Sequence, residues 1–343
     1  MPALKKVLLS TLLLSFVSFL LVGVWFDRWL QQPLNLPEQG LEYQLESGAS
    51  VARVAYDLNR RGVLTYPKVF LLYARLTGQT SIKLGRYQIL QASTAPQLLQ
   101  QLLAGKVISY KLTLVEGWTY RQALSHLHAQ SNLQQRLQVN DWPQNKQLLG
   151  VDIDHPEGWF FPDTYTYTAG DSDVDVFQRA HKAMQQTLQQ EWLRRAKNLP
   201  YKDAYQALVM ASIVERETGA PSEREQIAGV FVRRLNVGMR LQTDPTVIYG
   251  MGERYKGNIR RSDLRAKTPY NTYTMHGLPP TPIALPGREA IYAALHPDTT
   301  QAVYFVARGD GSHQFSDNLA DHNKAVRKYQ LRRRNDYRSA PAP

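Results

Sequence analysis

Two carboxylates stand two residues apart near the end of an apolar segment, Met210-Ala211-Ser212-Ile213-Val214-Glu215-Arg216-Glu217-Thr218-Gly219. On a helix, side chains at i and i+2 point to different sides. At about 100° per residue, Val209, Met210, Ile213 and Val214 form one apolar arc. Glu217 projects from the middle of that arc. Glu215 projects roughly opposite, on the row of Ala204, Leu208 and Ala211. A carboxyl desolvated on an apolar face has a raised pKa. A carboxyl still protonated near neutral pH can act as a general acid. The plainer reading makes both of them surface helix acids, with Glu217 paired to an arginine.

The element that must position these acids is a helix starting near Asp203, an N-cap residue type, and stopping at Gly219, with Pro221 beyond. A second helix spans Ser222 to Leu235. After it, Arg240-Leu241-Gln242-Thr243-Asp244-Pro245-Thr246-Val247-Ile248-Tyr249-Gly250 reads as a polar turn entering a short helix or strand. Pro269-Tyr270-Asn271-Thr272-Tyr273 and Gly277-Leu278-Pro279-Pro280-Thr281-Pro282 form a long irregular loop. Loops of that kind, held by rigid helices, tend to carry function. Val303–Ala307 and His313–Phe315 flank Gly309-Asp310-Gly311 and read as a hairpin, and Asp321 to Leu331 is the last helix.

Upstream, Val7 to Phe26 carries no charge and is long enough to span a bilayer as a helix. Lys5 and Lys6 precede it, which places the N-terminus in the cytoplasm, and Trp25 and Phe26 sit at the far interface. No small-x-small cleavage site follows, so the expectation is an uncleaved anchor rather than a signal peptide. Gln31 to Gln39 reads as a linker. Strand-like Leu41–Leu45, helices over Ser50–Arg61 and Pro67–Thr77, and strand-like Gly85–Leu90 give the order β-α-α-β. That order resembles LysM-type peptidoglycan-binding modules. Glu157-Gly158-Trp159-Phe160-Phe161-Pro162-Asp163-Thr164-Tyr165 gathers aromatic rings around two acids. It reads either as a sugar-binding surface, with Asp163 accepting from hydroxyls, or as a buried aromatic turn.

Composition narrows the chemistry. The chain has 343 residues, a net charge of +12 and no cysteine. There is then no disulfide frame, thiol nucleophile or cysteine metal site. Scattered histidines, with no HExxH spacing, give no metal site, and neither a GxSxG elbow nor a phosphate loop is present. The expectation is no cofactor and no metal. The positive charge suits a polyanionic partner, but a single-pass anchor with its bulk outside the cytoplasm argues against nucleic acid. Part of that charge is a basic C-terminal end, Lys324 to Arg338.

A helix ending in Glu-Thr with a Tyr-Asn-Thr loop downstream resembles the lysozyme-like lytic transglycosylases. The longer runs at 157–165, 211–218, 240–250, 270–273 and 277–280 resemble, more closely, the YceG-like family of endolytic murein transglycosylases. The resemblance implies one catalytic glutamate and places it at Glu217, the acid the helical wheel also favours. It implies that Glu217 cuts the bond between N-acetylmuramic acid and N-acetylglucosamine in nascent strands, leaving 1,6-anhydro ends. Penicillin-binding synthases are its implied partners, and the inner membrane its location, with the catalytic domain periplasmic. Gln242, Thr243, Asp244, Tyr249, Asn271, Tyr273 and Asp163 are the expected sugar-positioning residues. The alternatives are a hydrolytic muramidase using Asp244 as a second acid, and a non-catalytic wall-binding scaffold. The expected fold is α+β: cytoplasmic residues 1–6, anchor 7–26, linker 27–40, LysM-like module 41–112, a mainly helical lysozyme-like catalytic domain with a short β-hairpin over 113–335, and tail 336–343.

Overall fold

A computed structural model of the chain describes residues 2–46, 48–78, 80–217 and 220–331, with side chains from residue 7 onward. Thr218 and Gly219, the expected helix end, lie outside the described residues. So do Ser47, the side chains of Lys5 and Lys6, and Arg332, Arg333, Arg334 and Arg338 of the basic tail.

The apolar N-terminal run is one helix, α1 (Pro2–Gln31), exposed throughout from Val7 to Val24. Its stretch from Val7 onward is long and apolar enough to cross a membrane. The helix does not stop at Phe26. It continues because Trp29 finds an apolar site, 5% exposed, edge-on to Tyr73 at 6.2 Å. The expected linker is likewise tied down: Leu34 is buried, and its N–H donates to Ser93 O at 2.8 Å.

These residues belong to a first compact unit, residues 1–110 with 168–170. Its strands β1 (Leu41–Leu45) and β2 (Gly85–Ile89) pair antiparallel, Tyr43 opposite Tyr87. Between them run α2 (Val51–Arg60) and α3 (Pro67–Leu76), and α4 (Ala95–Ala104) follows. The apolar spacing of α2 is realised in full: Val51, Val54, Ala55 and Leu58 are all buried, under an N-cap in which Ser50 Oγ accepts from Arg53 N. Phe70, Leu98, Leu99 and Tyr87 complete this core.

The second unit comprises residues 111–167 and 171–343. Strand β3 (Ser109–Thr113) leads into it and pairs with β4 (Thr164–Thr168), where Thr113 and Thr164 hydroxyls meet at 2.8 Å. Between these strands lie α5 (Tyr120–His128), opened by a capping box of Thr119 and Gln122, and α6 (Trp142–Leu149). Then come α7 (Asp173–Leu193), α8 (Ala204–Glu217), α9 (Arg224–Asn236), α10 (Asp244–Met251), α11 (Arg261–Arg265) and α12 (Arg288–Leu295). The hairpin β5 (Tyr304–Ala307) and β6 (His313–Ser316) and helix α13 (Leu319–Val326) complete it.

The centre of this unit is α8. All eight residues from Ala207 to Val214 are buried. The sequence wheel assigned it one apolar face, but α7, α9, α10 and α12 pack against it. Small side chains make this possible: Ala207 and Ala211 on α8, and Ala293 and Ala294 on α12, all lie in one core. The aromatic segment at 157–165 also turns inward rather than forming an open sugar platform. Phe160 is fully buried against Phe177 and Tyr120, and Trp159 stacks on Tyr205 with centroids 5.7 Å apart.

Candidate active site

The two acids of α8 are both drawn out of solvent, but they do different things. Glu215 shares a helix face with Ser212, one turn earlier. Ser212 Oγ accepts from Ile283 N at 2.9 Å, and Glu215 Oε2 accepts from Gly287 N at 2.9 Å. Gly287 is the N-cap of α12, so a carboxylate there complements the helix dipole. Arg224 lies 3.8 Å from the same carboxylate. Burial raises the Glu215 pKa, while the Gly287 N–H and the Arg224 charge oppose that rise. Glu215 stands on the row of Leu208 and Ala211, and that side of the helix is packed as well. Together with Ser212, it fastens the segment from Ile283 to Gly287 to α8.

Glu217 ends the described part of α8 and meets different partners. Its Oε2 accepts a hydrogen bond from Thr243 Oγ1 at 3.0 Å. Burial pushes its pKa up to about 7, and the Asp244 charge adds to this. The Thr243 hydroxyl and the Arg234 guanidinium act the other way. Burial therefore outweighs the stabilising contacts, and the group holds a proton near neutrality.

Thr243 is placed by a buried lattice of hydroxyls. Its N–H donates to Thr272 Oγ1 at 3.1 Å, Thr246 Oγ1 donates to Thr243 O at 2.8 Å, and the Thr246 and Thr272 hydroxyls meet at 2.9 Å. The turn into α10 is set by Gln242, which takes a positive φ of 51°, a conformation that few non-glycine residues adopt. Gln242 N donates to Thr272 O, and the Gln242 side chain is exposed. Asp244, in the first turn of α10, accepts from Tyr273 OH at 2.7 Å. Thus Thr243, Asp244 and Tyr273 gather around Glu217, with Gln242 at their edge.

The remaining expected residues stand elsewhere. Asn271 is buried, and its amide is spent on the main chain: Nδ2 donates to Asp263 O, Leu264 O and Ala266 O, and Oδ1 accepts from Tyr273 N. It shapes the loop that carries Thr272 and Tyr273. Tyr249 points to another acid, donating to Glu157 Oε2 at 3.1 Å. Asp163 is exposed and accepts from the N–H of its neighbour Thr164, a bond local to the start of β4.

Two residues outside the expected set of site residues matter here. Arg234 on α9 is buried, donates to Leu241 O at 2.6 Å and Val303 O at 2.7 Å, and brings a positive charge toward Glu217. Glu157 is 3% exposed, and its Oε1 accepts from Tyr120 N at 2.8 Å. Burial raises its pKa to about 7, with hydrogen bonds from Tyr120 and Tyr249 opposing. Of the two acids in the aromatic segment, it is Glu157 that turns inward, because Gly158 takes a φ of 83° beside it. A Cβ at Gly158 would also stand 2.5 Å from Pro282 Cγ. The Glu-Gly pair was the available signal. Glu157 lies on a cleft of 950 Å³ that extends to Arg216 and Pro245, the neighbours of Glu217 and Asp244.

A model of the YceG-like family matches residues 43–328. An endolytic murein transglycosylase of Bacillus subtilis is 31% identical over 303 residues, which is 83% of this chain and 83% of that protein. One from Streptococcus pneumoniae is 26% identical over 91% of this chain, and the match takes in 63% of the pneumococcal protein. The crystal structure of a YceG-like protein of Listeria monocytogenes is similar with a TM-score of 0.53 and 29% identity, over 84% of this chain and 99% of that one.

Proposed function

The chain belongs to the YceG-like family, and from that premise we propose that it is an endolytic murein transglycosylase with Glu217 as its catalytic acid and base. The observation that carries the assignment is the Glu217 carboxyl itself. It is desolvated at the end of the central helix, holds its proton to about pH 7, and accepts one hydroxyl hydrogen bond.

The reaction needs a proton donor first. Protonated Glu217 gives its proton to the oxygen that joins C1 of N-acetylmuramic acid to N-acetylglucosamine. The bond from C1 to that oxygen breaks, and the glucosamine side leaves with a hydroxyl. The Glu217 carboxylate then takes the proton of the muramic C6 hydroxyl as O6 bonds to C1, closing a 1,6-anhydro ring. Glu217 ends protonated, as it began. Thr243 holds Oε2, which leaves Oε1 to carry the proton in both steps. No protein nucleophile is required, unlike the paired-carboxylate glycosidases. Asp244, fixed by Tyr273, keeps a negative charge near the developing oxocarbenium.

The rest of the chain fits this chemistry. The first unit, with its β1-α2-α3-β2 order, is a LysM-like glycan-binding module, and the second is a lysozyme-like catalytic domain. The apolar stretch of α1 anchors both to the inner membrane, with Met1 cytoplasmic and the catalytic unit periplasmic. The enzyme then meets glycan strands as they emerge, beside penicillin-binding synthases, and ends their elongation.

Mass spectrometry of the products made by the full chain in detergent tests the reaction. Anhydro-ended fragments are expected. Reducing ends, heavier by one water, would replace this reading with a muramidase using Asp244. Thr243→Val removes the bond that favours the Glu217 carboxylate. The alkaline limb of the pH–activity profile should then move up by roughly one unit. An unmoved limb would dissociate Thr243 from Glu217 ionisation.

A further inference from the structure

The cleft at Glu157 is larger than proton transfer requires, and Glu217 is not among its lining residues. Its volume of 950 Å³ is that of a site for a substantial ligand. Its lining carries three guanidiniums, Arg121, Arg216 and Arg254, against the carboxyls of Glu157 and Glu253. The first two arginines have modest commitments. Arg121 meets Glu253 at 3.4 Å with both side chains largely exposed, and Arg216 Nη1 donates to Gly117 O at 3.1 Å. An exposed pair of that kind is worth little and is readily exchanged for another carboxylate. Tyr249 and Tyr270 supply ring surface within the same cleft, with centroids 4.9 Å apart.

Position gives the ligand. One end of the cleft is formed by Arg216 and Pro245, each next in sequence to a residue of the Glu217 cluster. If muramic acid lies at Glu217, a substituent on that sugar must leave within a few ångströms. In murein that substituent is a short peptide, joined through the lactyl group and rich in free carboxylates. We propose that this cleft is the subsite for the stem peptide of the muramic acid being cut, with Arg121 and Arg254 holding its carboxylates. The proposal rests on the transglycosylase reading and extends it to substrate selection. A glycan chain alone would need only the cluster at Glu217, whereas a cationic side cleft favours a strand that still bears its peptide.

Two measurements on the full chain in detergent test this. The first compares cleavage of peptide-bearing strands with that of strands stripped of peptide by an amidase. Arg121→Gln/Arg254→Gln should raise KM about tenfold on peptide-bearing strands, with kcat and the stripped-strand kinetics unchanged. Both arginines are exposed, so the fold should be unaffected. The second titrates a synthetic stem tetrapeptide, and the same peptide with its carboxyls amidated, against Glu217→Gln protein by calorimetry. Only the acidic peptide should bind, and the double substitution should abolish its binding. Equal loss on both strand types, no loss on either, or equal binding of the two peptides would overturn the proposal. Peptide binding without cleavage of any strand would leave the subsite standing and remove the transglycosylase reading instead.

Discussion

Glu217→Gln should lower kcat on peptidoglycan by about 10²–10⁴-fold, the usual contribution of a positioned general acid and base. The amide keeps the size and the Thr243 contact but can neither donate an acidic proton nor accept one. Strand binding should survive, since Tyr273, Asp244 and the cleft are untouched. Stability supplies a second readout with an opposite sign. The folded-state pKa of Glu217 is raised from 4.5 to about 7. The folded protein therefore binds more protons than the unfolded chain between those values, and stability falls as pH rises through that window. Below about pH 4.5 glutamine and glutamic acid should be equivalent. Above about pH 7 the glutamine protein should be the more stable, by up to about 3 kcal/mol. Wild-type kcat/KM should meanwhile drop about tenfold per unit above pH 7, as the acid form is lost. Release of anhydro-ended fragments by Glu217→Gln at the wild-type rate would sink the assignment.

Asn271→Ala should lower the midpoint of thermal unfolding and cost activity together, although the Asn271 amide is spent on the main chain. Its side chain serves three carbonyls at the end of α11 and one N–H, that of Tyr273. Alanine leaves those groups unpaired beside a buried position. At about 1–3 kcal/mol for each group that water cannot reach, roughly 3 kcal/mol is a reasonable total. For a unit of this size that is a fall of about 6–12 °C. Activity should fall as well, because the loop carries Thr272, which orders Thr243, and Tyr273, which holds Asp244. Calorimetry and turnover measured on the same preparation check both parts. A stable protein with full activity would show that the loop is held by other means.

Several parts of the fold were legible because the signal was local. Ser50 before Val51, Val54, Ala55 and Leu58 specifies a capped amphipathic helix, and it forms as read. The hairpin around Gly309-Asp310-Gly311 belongs to the same class. The short polar turn after Arg240 was open between helix and strand. Asp244-Pro245 at its start, under the buried hydroxyls of Thr243 and Thr272, settles it as a helix. The end of α1 was not legible, because Trp29 finds its partner in Tyr73, far along the chain.

The candidate site divides in the same way. The sequence alone offered the candidates: Glu217 on an apolar arc, and Gln242, Thr243, Asp244, Tyr249, Asn271, Tyr273 and Asp163 in polar segments. Side-chain periodicity is a property of the helix itself and needs no neighbours. Which face of α8 is dry depends on what packs there, and here α7, α9, α10 and α12 enclose it all round. Tertiary structure therefore decided that Glu215 is a buried strut for Gly287 and that Asn271 serves the main chain. It also turned Tyr249 to Glu157, and left Asp163 outside the cluster. Desolvation, which moves the carboxyl of Glu217 up to about 7, is the sum of atoms contributed by distant segments, and no local pattern in the chain contains that sum.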